Sequence, residues 1–217
     1  MKALKIIFLF CSIALIASCG NRGSKGESTF TETGVKEENS YAKFFEITNY
    51  SNCKVISVIN PWDTTRTLQE YVLVDKNIPL PDDLPKGTVI RTPVESVIMY
   101  STIHASIWEK LGALENVVGI CEPEYLTSER AKQMMAEGKI HNCGMASSPN
   151  VEKIMDIGGR FIVASPFENG GYGQAEKLGI PIFESADYME NHPLGRVEWM
   201  KVFGMLSGQK DTSDSLY

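Results

Sequence analysis

The stretch from Val97 to Phe183 constrains the fold most, because short apolar runs alternate there with segments of helical pattern. The apolar runs have the length and composition of strands, and they lie at 97–100, 117–120, 161–164 and 180–183. Helices are predicted at 102–111, at 128–137, directly after Asn150 and at 173–178. Such alternation predicts an α/β fold with a parallel sheet, helices on both faces, and ligands received at the carboxyl ends of the strands.

The part of the chain before Val97 has a different pattern. Runs rich in β-branched and aromatic residues lie at 44–50, 54–60 and 69–75, separated by Asn, Pro, Asp and Thr. Three prolines then mark a loop before a further strand at 88–91. A short β meander is therefore predicted ahead of the α/β unit.

The first twenty residues have the pattern of an export signal. Lys2 and Lys5 precede an apolar run, 6–16, that is too short to span a bilayer as a permanent helix. Ile16-Ala17-Ser18-Cys19 resembles the bacterial lipobox, in which the cysteine is lipidated and becomes the mature N-terminus. The alternative is an ordinary secretory signal that leaves Cys19 unmodified, and both interpretations place the protein outside the cytoplasm.

These features divide the N-terminal part of the chain. We expect a lipoprotein signal peptide at 1–18 and a tether at 19–40, because glycine, serine and charged residues dominate the segment after Cys19. The folded body is expected to start near Tyr41. The protein is thus predicted to be extracytoplasmic and anchored by lipid to the cell membrane, in a periplasm or on a cell surface.

Charge and hydrophobicity exclude several classes of protein. Of the 217 residues, 43% are hydrophobic and 22% are charged, which indicates a globular protein and excludes both a disordered chain and a polytopic membrane protein. The formal net charge is -6, with both signs scattered along the sequence. A nucleic-acid-binding protein needs a concentrated basic face, so no nucleic-acid partner is expected.

Three of the five cysteines belong to the predicted body: Cys53, Cys121 and Cys143. They can form at most one disulfide. Cys121 and Cys143 are the candidate pair, because each ends a predicted strand, at 117–121 and 141–143. The sequence does not establish this pairing, and free thiols are the alternative.

Three segments carry a resemblance to a known family. The first runs from Ser101-Thr102-Ile103-His104 through Leu111-Gly112 to Val117-Val118-Gly119-Ile120. The second joins Ser148-Pro149-Asn150-Val151-Glu152-Lys153-Ile154 to Phe161-Ile162-Val163-Ala164. The third is Pro193-Leu194-Gly195-Arg196-Val197-Glu198-Trp199-Met200-Lys201. In this order and spacing they resemble motifs of the substrate-binding lipoproteins of ABC importers for iron–siderophore complexes, haem and vitamin B12.

The resemblance implies a domain organisation. In that family two lobes are joined by one long helix, so the chain is interpreted as an N-terminal α/β lobe at 41–192 followed by the start of the interlobe helix at 193–217. An apolar stripe supports this helix, formed by Leu194, Val197, Met200, Phe203 and Leu206. The second lobe does not follow, and the sequence is therefore interpreted as a fragment.

The resemblance also implies a function without chemistry and without a cofactor. Members bind a small metal chelate or a corrinoid and deliver it to the subunits of an ABC permease. The glutamate that matches Glu152 pairs with permease arginines, so Glu152 is predicted to dock the permease. A carboxylate in the first turn of a helix is stabilised by the helix dipole, which is a sufficient structural reason for Glu152 as well.

Ligand-binding residues are expected in the loops that follow the strands: Ser101, Thr102, Glu122, Tyr125, Met145, Ser147, Phe167 and Tyr172. Packing in the core is the alternative for each aromatic residue among them. The acidic residues Glu122, Glu124 and Glu168 occur in these loops without an arginine cluster. This favours cobalamin or a hydroxamate-type iron complex over a polyanionic catecholate, and Tyr100, Tyr125 or Tyr172 could serve as a haem ligand.

A glycine-rich loop supports a rival function, a nucleotide- or flavin-binding exported α/β enzyme. Gly170-Gly171-Tyr172-Gly173 lies between a predicted strand and a predicted helix, where backbone amides can cradle a phosphate. The loop matches neither GxGxxG nor the P-loop pattern, so a loop at the rim of a binding cleft is preferred. A GxSxG elbow is absent, and His104 and His141 lack the spacing of a zinc site. No catalytic and no metal-ligating residue is predicted.

Overall fold

The computed structural model describes residues 30–217, which form two five-stranded sheets and a short two-stranded ladder. The strands of the first sheet are β1 Val35–Glu37, β2 Phe45–Asn49, β3 Lys54–Ile59, β4 Thr67–Asp75 and β5 Thr88–Thr92. The later strands are β6 Val97–Met99, β7 Val117–Ile120, β8 His141–Asn142, β9 Gly144–Met145, β10 Ser148–Pro149, β11 Phe161–Ala164 and β12 Ile182–Glu184. The predicted signal peptide and Cys19 lie outside the described residues.

The first sheet has the order β1-β2-β3-β4-β5. Its pairings are antiparallel from β1 to β4, and β5 is added parallel to β4. Alternation along β2 buries Phe45 and Ile47 and exposes Glu46, as expected for a sheet with one covered face. The predicted β meander is confirmed.

The first sheet begins inside the segment predicted as a tether. Residues 35–37 form β1, which pairs with β2, and the Lys36 ammonium lies 2.6 Å from the Glu46 carboxylate. The ring of Phe30 packs edge-on against Tyr50, with ring centroids 5.1 Å apart. A tether over 35–37 is therefore a wrong prediction. Strand pairing uses backbone groups and needs little apolar content, so composition alone did not reveal it.

The second sheet has the order β12-β11-β6-β7-β8, and all its pairings are parallel. Every residue of β6 and β11 is buried, which is typical of central strands that are covered on both faces. The small β9–β10 ladder follows β8 along the chain and is antiparallel. The predicted α/β class with a parallel sheet is confirmed.

The α-helices of the described part are α1 Thr102–Lys110, α2 Glu129–Ala136, α3 Val151–Asp156, α4 Pro193–Glu198, α5 Met200–Ser207 and α6 Lys210–Leu216. The first three begin as the sequence predicts, because the side chains of Ser101, Ser128 and Asn150 accept hydrogen bonds from amides of the first turn. Short 3-10 helices lie at Leu114–Asn116, Pro123–Tyr125, Gly173–Leu178 and Asp187–Met189. The segment 173–178 is thus a 3-10 helix and not the predicted α-helix.

Two apolar clusters lie on opposite faces of the second sheet. Val97 and Met99 join the larger cluster, which contains buried residues of α1, α2, α5 and the first sheet. Ile98, between them in sequence, joins the smaller cluster together with Ile154 of α3 and Ala175 of the 3-10 helix. Successive strand residues point to opposite faces, so the parallel sheet is covered on both sides.

The C-terminal helices differ from the predicted single interlobe helix. A turn at Trp199 separates α4 from α5, α5 ends at Gly208 with a φ of 74°, and α6 packs back against α5. In the predicted stripe, Phe203 and Leu206 are buried, whereas Leu194 and Val197 are exposed. The prediction of one helix over 193–217 is therefore wrong. Within residues 30–217, no helix has the length and apolar character required to cross a membrane.

Candidate functional site

A cavity of about 330 Å³ lies at the carboxyl edge of the second sheet. It is lined by segments that follow β6, β7 and β11 and by the β9–β10 turn: Tyr100, Ser101, Thr102, Ile103, Glu122, Tyr125, Ala146, Ser165 and Phe167. A larger cavity of about 490 Å³ lies between the first sheet and α5 and α6, and it shares no lining residue with the first. Parallel sheets receive ligands at their carboxyl edges, so the smaller cavity is the candidate site.

The start of α1 forms one wall of this cavity. Ser101 ends the extended segment after β6, and its hydroxyl accepts a hydrogen bond from the Ile103 amide at 3.3 Å. The helix therefore begins at the wall, with Thr102 in its first turn. The Ile103 side chain is 62% exposed, so apolar surface is available at the rim.

Glu122 and Tyr125 form the wall that follows β7. Glu122 has a left-handed backbone conformation, with a φ of 52°, which is uncommon for residues other than glycine and concentrates at functional sites. Its amide donates to the Gly144 carbonyl at 2.8 Å, which ties this loop to β9. The 3-10 helix that begins here carries Tyr125, whose side chain is 68% exposed.

The loop after β11 contributes Ser165 and Phe167. The Tyr172 hydroxyl donates to the Ser165 carbonyl at 2.9 Å and contacts the Glu184 carboxylate at 3.0 Å, while Tyr188 donates to the Pro166 carbonyl at 3.4 Å. These contacts hold the loop and leave the Phe167 side chain 43% exposed at the cavity. Burial, together with the adjacent Glu184, raises the pKa of Tyr172 and keeps its hydroxyl protonated.

Five of the eight residues predicted to bind a ligand line this one cavity: Ser101, Thr102, Glu122, Tyr125 and Phe167. Tyr172 does not line it, and its side chain is buried in the smaller apolar cluster. Met145 and Ser147 flank Ala146, which lines the cavity, but they are exposed outside it. Neighbouring loop residues point in different directions, and no periodicity in the sequence indicates which of them faces the cavity.

Tyr100 lines the cavity, although the sequence suggested it only as a haem ligand. Its side chain is 3% exposed, and its hydroxyl has no hydrogen-bond partner among residues 30–217. Burial raises the pKa of this phenol, and the neighbouring thiols of Cys121 and Cys143 raise it further. It is therefore a neutral hydroxyl group able to donate a hydrogen bond. Its position directly after β6 is the signal that could have identified it.

The structure leaves Cys121 and Cys143 unpaired, so the candidate disulfide is not present. Cys121 and Cys143 come directly after Ile120 of β7 and Asn142 of β8, which are paired in the sheet. Each sulfur, however, lies near a backbone carbonyl oxygen. The Cys121 sulfur is 3.8 Å from the Cys143 carbonyl oxygen, and the Cys143 sulfur is 3.7 Å from that of His141. Burial raises their pKa values to about 12 and about 11.

His104 forms a buried pair with Asp187. Its Nε2 lies 3.0 Å from Asp187 Oδ1, and the Ser185 hydroxyl donates to the same carboxylate oxygen at 2.7 Å. Burial raises the pKa of Asp187, but these contacts outweigh it and lower the pKa. In a hydrolytic triad the histidine lies between the acid and the serine. Here His104 and Ser185 both bind the acid, Asp187, so the order of a triad is not formed. The described residues hold no cluster of three or more metal-ligating acidic, His or Cys side chains.

The glycine-rich loop at 170–173 is occupied by the chain itself. The Tyr172 amide donates to a carboxylate oxygen of Glu176 at 2.7 Å, and a Cβ on Gly171 would lie 2.2 Å from that oxygen. A carboxylate therefore takes the place that a phosphate would need in a nucleotide-binding loop. This geometry disfavours the rival nucleotide or flavin enzyme.

Glu152 does not line the cavity. It is exposed in the first turn of α3, next to the capping residue Asn150. The position at a helix N-terminus suits the structural role expected for Glu152, and its exposure is a condition for the docking role.

Comparisons with known proteins give one similar sequence and several similar folds. No family model matches the chain. It is 26% identical to an uncharacterized lipoprotein of Methanocaldococcus jannaschii over 236 residues, covering 94% of this chain and 56% of that protein. The chain thus spans about half the length of this curated relative.

The structural neighbours are periplasmic binding proteins. MolA of Haemophilus influenzae, which binds molybdate, is 12% identical with a TM-score of 0.47, over 57% of this chain and 44% of that one. The siderophore-binding protein FeuA of Bacillus subtilis is 17% identical with a TM-score of 0.45, and the match covers 60% of this chain and 44% of FeuA. The vitamin B12-binding protein BtuF of Vibrio cholerae is 21% identical with a TM-score of 0.38, and the match covers 56% of this chain and 47% of BtuF.

Proposed function

We propose that this protein is the substrate-binding component of an ABC importer. It captures an iron complex, either a siderophore or haem, or cobalamin, and it delivers this ligand to the permease. Lipidation at Cys19 tethers it to the membrane on the extracytoplasmic side. It performs no reaction on the ligand.

The observation that carries this proposal is the convergence of residues from separate loops on one cavity. Ser101, Glu122 and Phe167 follow three different strands of the parallel sheet, and all of them line the cavity at its carboxyl edge. Hydroxyl groups and partly exposed aromatic rings form the lining, a combination suited to a large ligand with apolar faces and a few polar groups.

Two further observations support the tethered receptor. The similar sequence from Methanocaldococcus jannaschii is described as a lipoprotein, in agreement with the lipobox at Ile16-Ala17-Ser18-Cys19. Glu152 is exposed on α3, where a carboxylate can meet basic side chains of a permease and orient the complex. The proposed receptor thus has a binding cavity and, outside the lining of that cavity, an acidic residue proposed for docking.

Ligand titration tests the proposal. The full chain in detergent is titrated by calorimetry with cyanocobalamin, haemin, a ferric trihydroxamate and a ferric catecholate. Saturable binding of one of them is expected, and Tyr125→Ala should weaken it about tenfold, because this ring lies at the cavity rim. Tyr217→Ala, at an exposed aromatic residue outside the cavity, is the matched control. Failure of all four ligands to bind would contradict the receptor function.

A further inference from the structure

The lining of the cavity carries charge of one sign. Glu122 lines it, whereas no lysine, arginine or histidine of residues 30–217 does so. Two more carboxylates, Glu124 and Glu168, are exposed in the same loops. An anionic ligand would meet a carboxylate without a compensating cation, which is unfavourable where water is displaced.

Glu122 is held in this position by its backbone. Its left-handed conformation and the hydrogen bond from its amide to Gly144 fix the turn that carries the side chain. The backbone of Glu122 is therefore fixed at the cavity wall.

A second group in the lining points to a ligand. Tyr100 is almost completely buried, and its hydroxyl is unpartnered within the described chain. A buried hydroxyl without a partner is unfavourable, so a hydrogen bond from this group to a polar atom of a bound ligand would be stabilising. A ligand that enters deeply into the cavity supplies the missing partner.

We propose that this cavity selects an uncharged or cationic ligand, that Glu122 sets this preference, and that the Tyr100 hydroxyl hydrogen-bonds a polar atom of the ligand. The inference rests on the proposed receptor function and narrows its ligand class. Anionic chelates are rejected by the same carboxylate that attracts a cationic group.

Matched ligand pairs test the preference on the full chain. One pair consists of the gallium(III) complex of a linear trihydroxamate with a terminal ammonium group and the same complex after succinylation of that amine. The other pair is cyanocobalamin and its monocarboxylic acid derivative. The two members of a pair share the same metal complex and differ in the charge of one peripheral group. The cationic or neutral member is expected to bind at least about fivefold more tightly.

Variants assign the effect to residues. Glu122→Gln should abolish the preference within each pair, while Glu124→Gln, an exposed neighbour that does not line the cavity, should keep it. Tyr100→Phe should weaken binding of the preferred ligand by about three- to tenfold. Its midpoint of urea unfolding should stay unchanged or rise, because the hydroxyl has no partner to lose in the free protein.

The outcomes separate this inference from the proposed function. Equal or tighter binding of the anionic member would overturn the inference. An unchanged preference within the pairs in Glu122→Gln, or an unchanged affinity for the preferred ligand in Tyr100→Phe, would overturn it as well. Binding of haemin, a dicarboxylate, without binding of either pair would also overturn it while it leaves the receptor function intact. Binding of the ferric catecholate alone would likewise overturn only the inference. Failure of the two pairs, haemin and the ferric catecholate alike would reject both.

Discussion

Glu190 and Glu198 accept hydrogen bonds from five successive backbone amides, those of residues 40–44. Glu198 binds the amides of Ser40, Tyr41 and Ala42, and Glu190 binds those of Lys43 and Phe44. Glu190 precedes α4 and Glu198 is its last residue, so the two carboxylates connect the segment between β1 and β2 with the C-terminal helices. Both are almost fully buried, and Lys201 and Trp199 complete their hydrogen bonding.

The Glu198 carboxylate should be a strong determinant of stability. Glu198→Gln removes its charge and turns one acceptor into a donor that faces backbone donors, so the free energy of unfolding should fall by about 2–4 kcal/mol. Urea denaturation measures this change. Glu129→Gln, whose partner Lys132 and whose own side chain are both exposed, should change stability by less than about 0.5 kcal/mol. Equal losses in the two variants would contradict the role of Glu198.

Stability should also fall in acid through Glu198. Burial raises its pKa, but the hydrogen bonds from Lys201 and the three amides outweigh burial and lower the pKa from 4.5 to about 2. A carboxylate with a lowered pKa in the folded state contributes fully above its unfolded pKa, and this contribution is lost as the pH falls towards the folded pKa. The wild type should therefore lose stability between pH 4.5 and about 2 more steeply than Glu198→Gln. Parallel curves of urea midpoint against pH would refute this assignment.

Gly119 of β7 should tolerate no side chain. A Cβ at this position would lie 2.5 Å from the Cys143 sulfur and 2.8 Å from Ile98 Cδ1, both of which are fully buried. Gly119→Ala is therefore expected to cost about 1–3 kcal/mol in the free energy of unfolding. At Gly170 the nearest atom to an added Cβ, on Phe167, is 3.6 Å away, so Gly170→Ala serves as the matched control. A neutral Gly119→Ala would contradict the packing of β7 against β8.

The three cysteines of the described chain should be unreactive in the folded protein. Cys53, Cys121 and Cys143 are buried and free, and burial raises the pKa of each thiol. Because the thiolate is the reactive form, iodoacetamide should modify none of them in native protein and all of them in urea without reductant. Mass spectrometry of peptides measures the label. An unlabelled pair of Cys121 and Cys143 in urea would reveal a disulfide instead.

Glu152 should affect delivery and not binding. If it docks a permease, Glu152→Gln should leave ligand affinity unchanged and should reduce ligand-stimulated ATP hydrolysis by the reconstituted importer several-fold. Asp156→Asn, at an exposed acid of the same helix that is paired with Lys153, is the control and should have little effect. Unchanged ATP hydrolysis in Glu152→Gln would leave only the structural role at the N-terminus of α3.

The sequence predicts those parts of this fold that local rules determine. Ser101, Ser128 and Asn150 begin helices because their side chains cap the first turn, and the buried strand at 161–164 is predicted with the observed bounds. Strand β1 escaped prediction because it depends on pairing with β2, which is a nonlocal interaction. The same reason applies to α6, whose sequence is polar and whose position depends on packing of Ser213 against Gly204.

The candidate site is predictable to the level of loops but not of side chains. The rule that ligands bind after parallel strands identifies the segments of Ser101, Glu122 and Phe167. It does not distinguish Phe167, which lines the cavity, from Tyr172, which packs in the core and binds Ser165 and Glu184. The direction of a loop side chain is set by tertiary contacts, and these have no period in the sequence.

The separate origin of the cavity walls has an evolutionary consequence. The walls of the cavity are formed by the start of α1, the turn after β7, the β9–β10 turn and the loop after β11, while the buried strands behind them carry the packing of the sheet. One loop can therefore change by substitution or insertion while the other walls and the core remain intact. Proteins with this architecture can therefore differ in the shape and chemistry of the cavity through a few changes at strand ends.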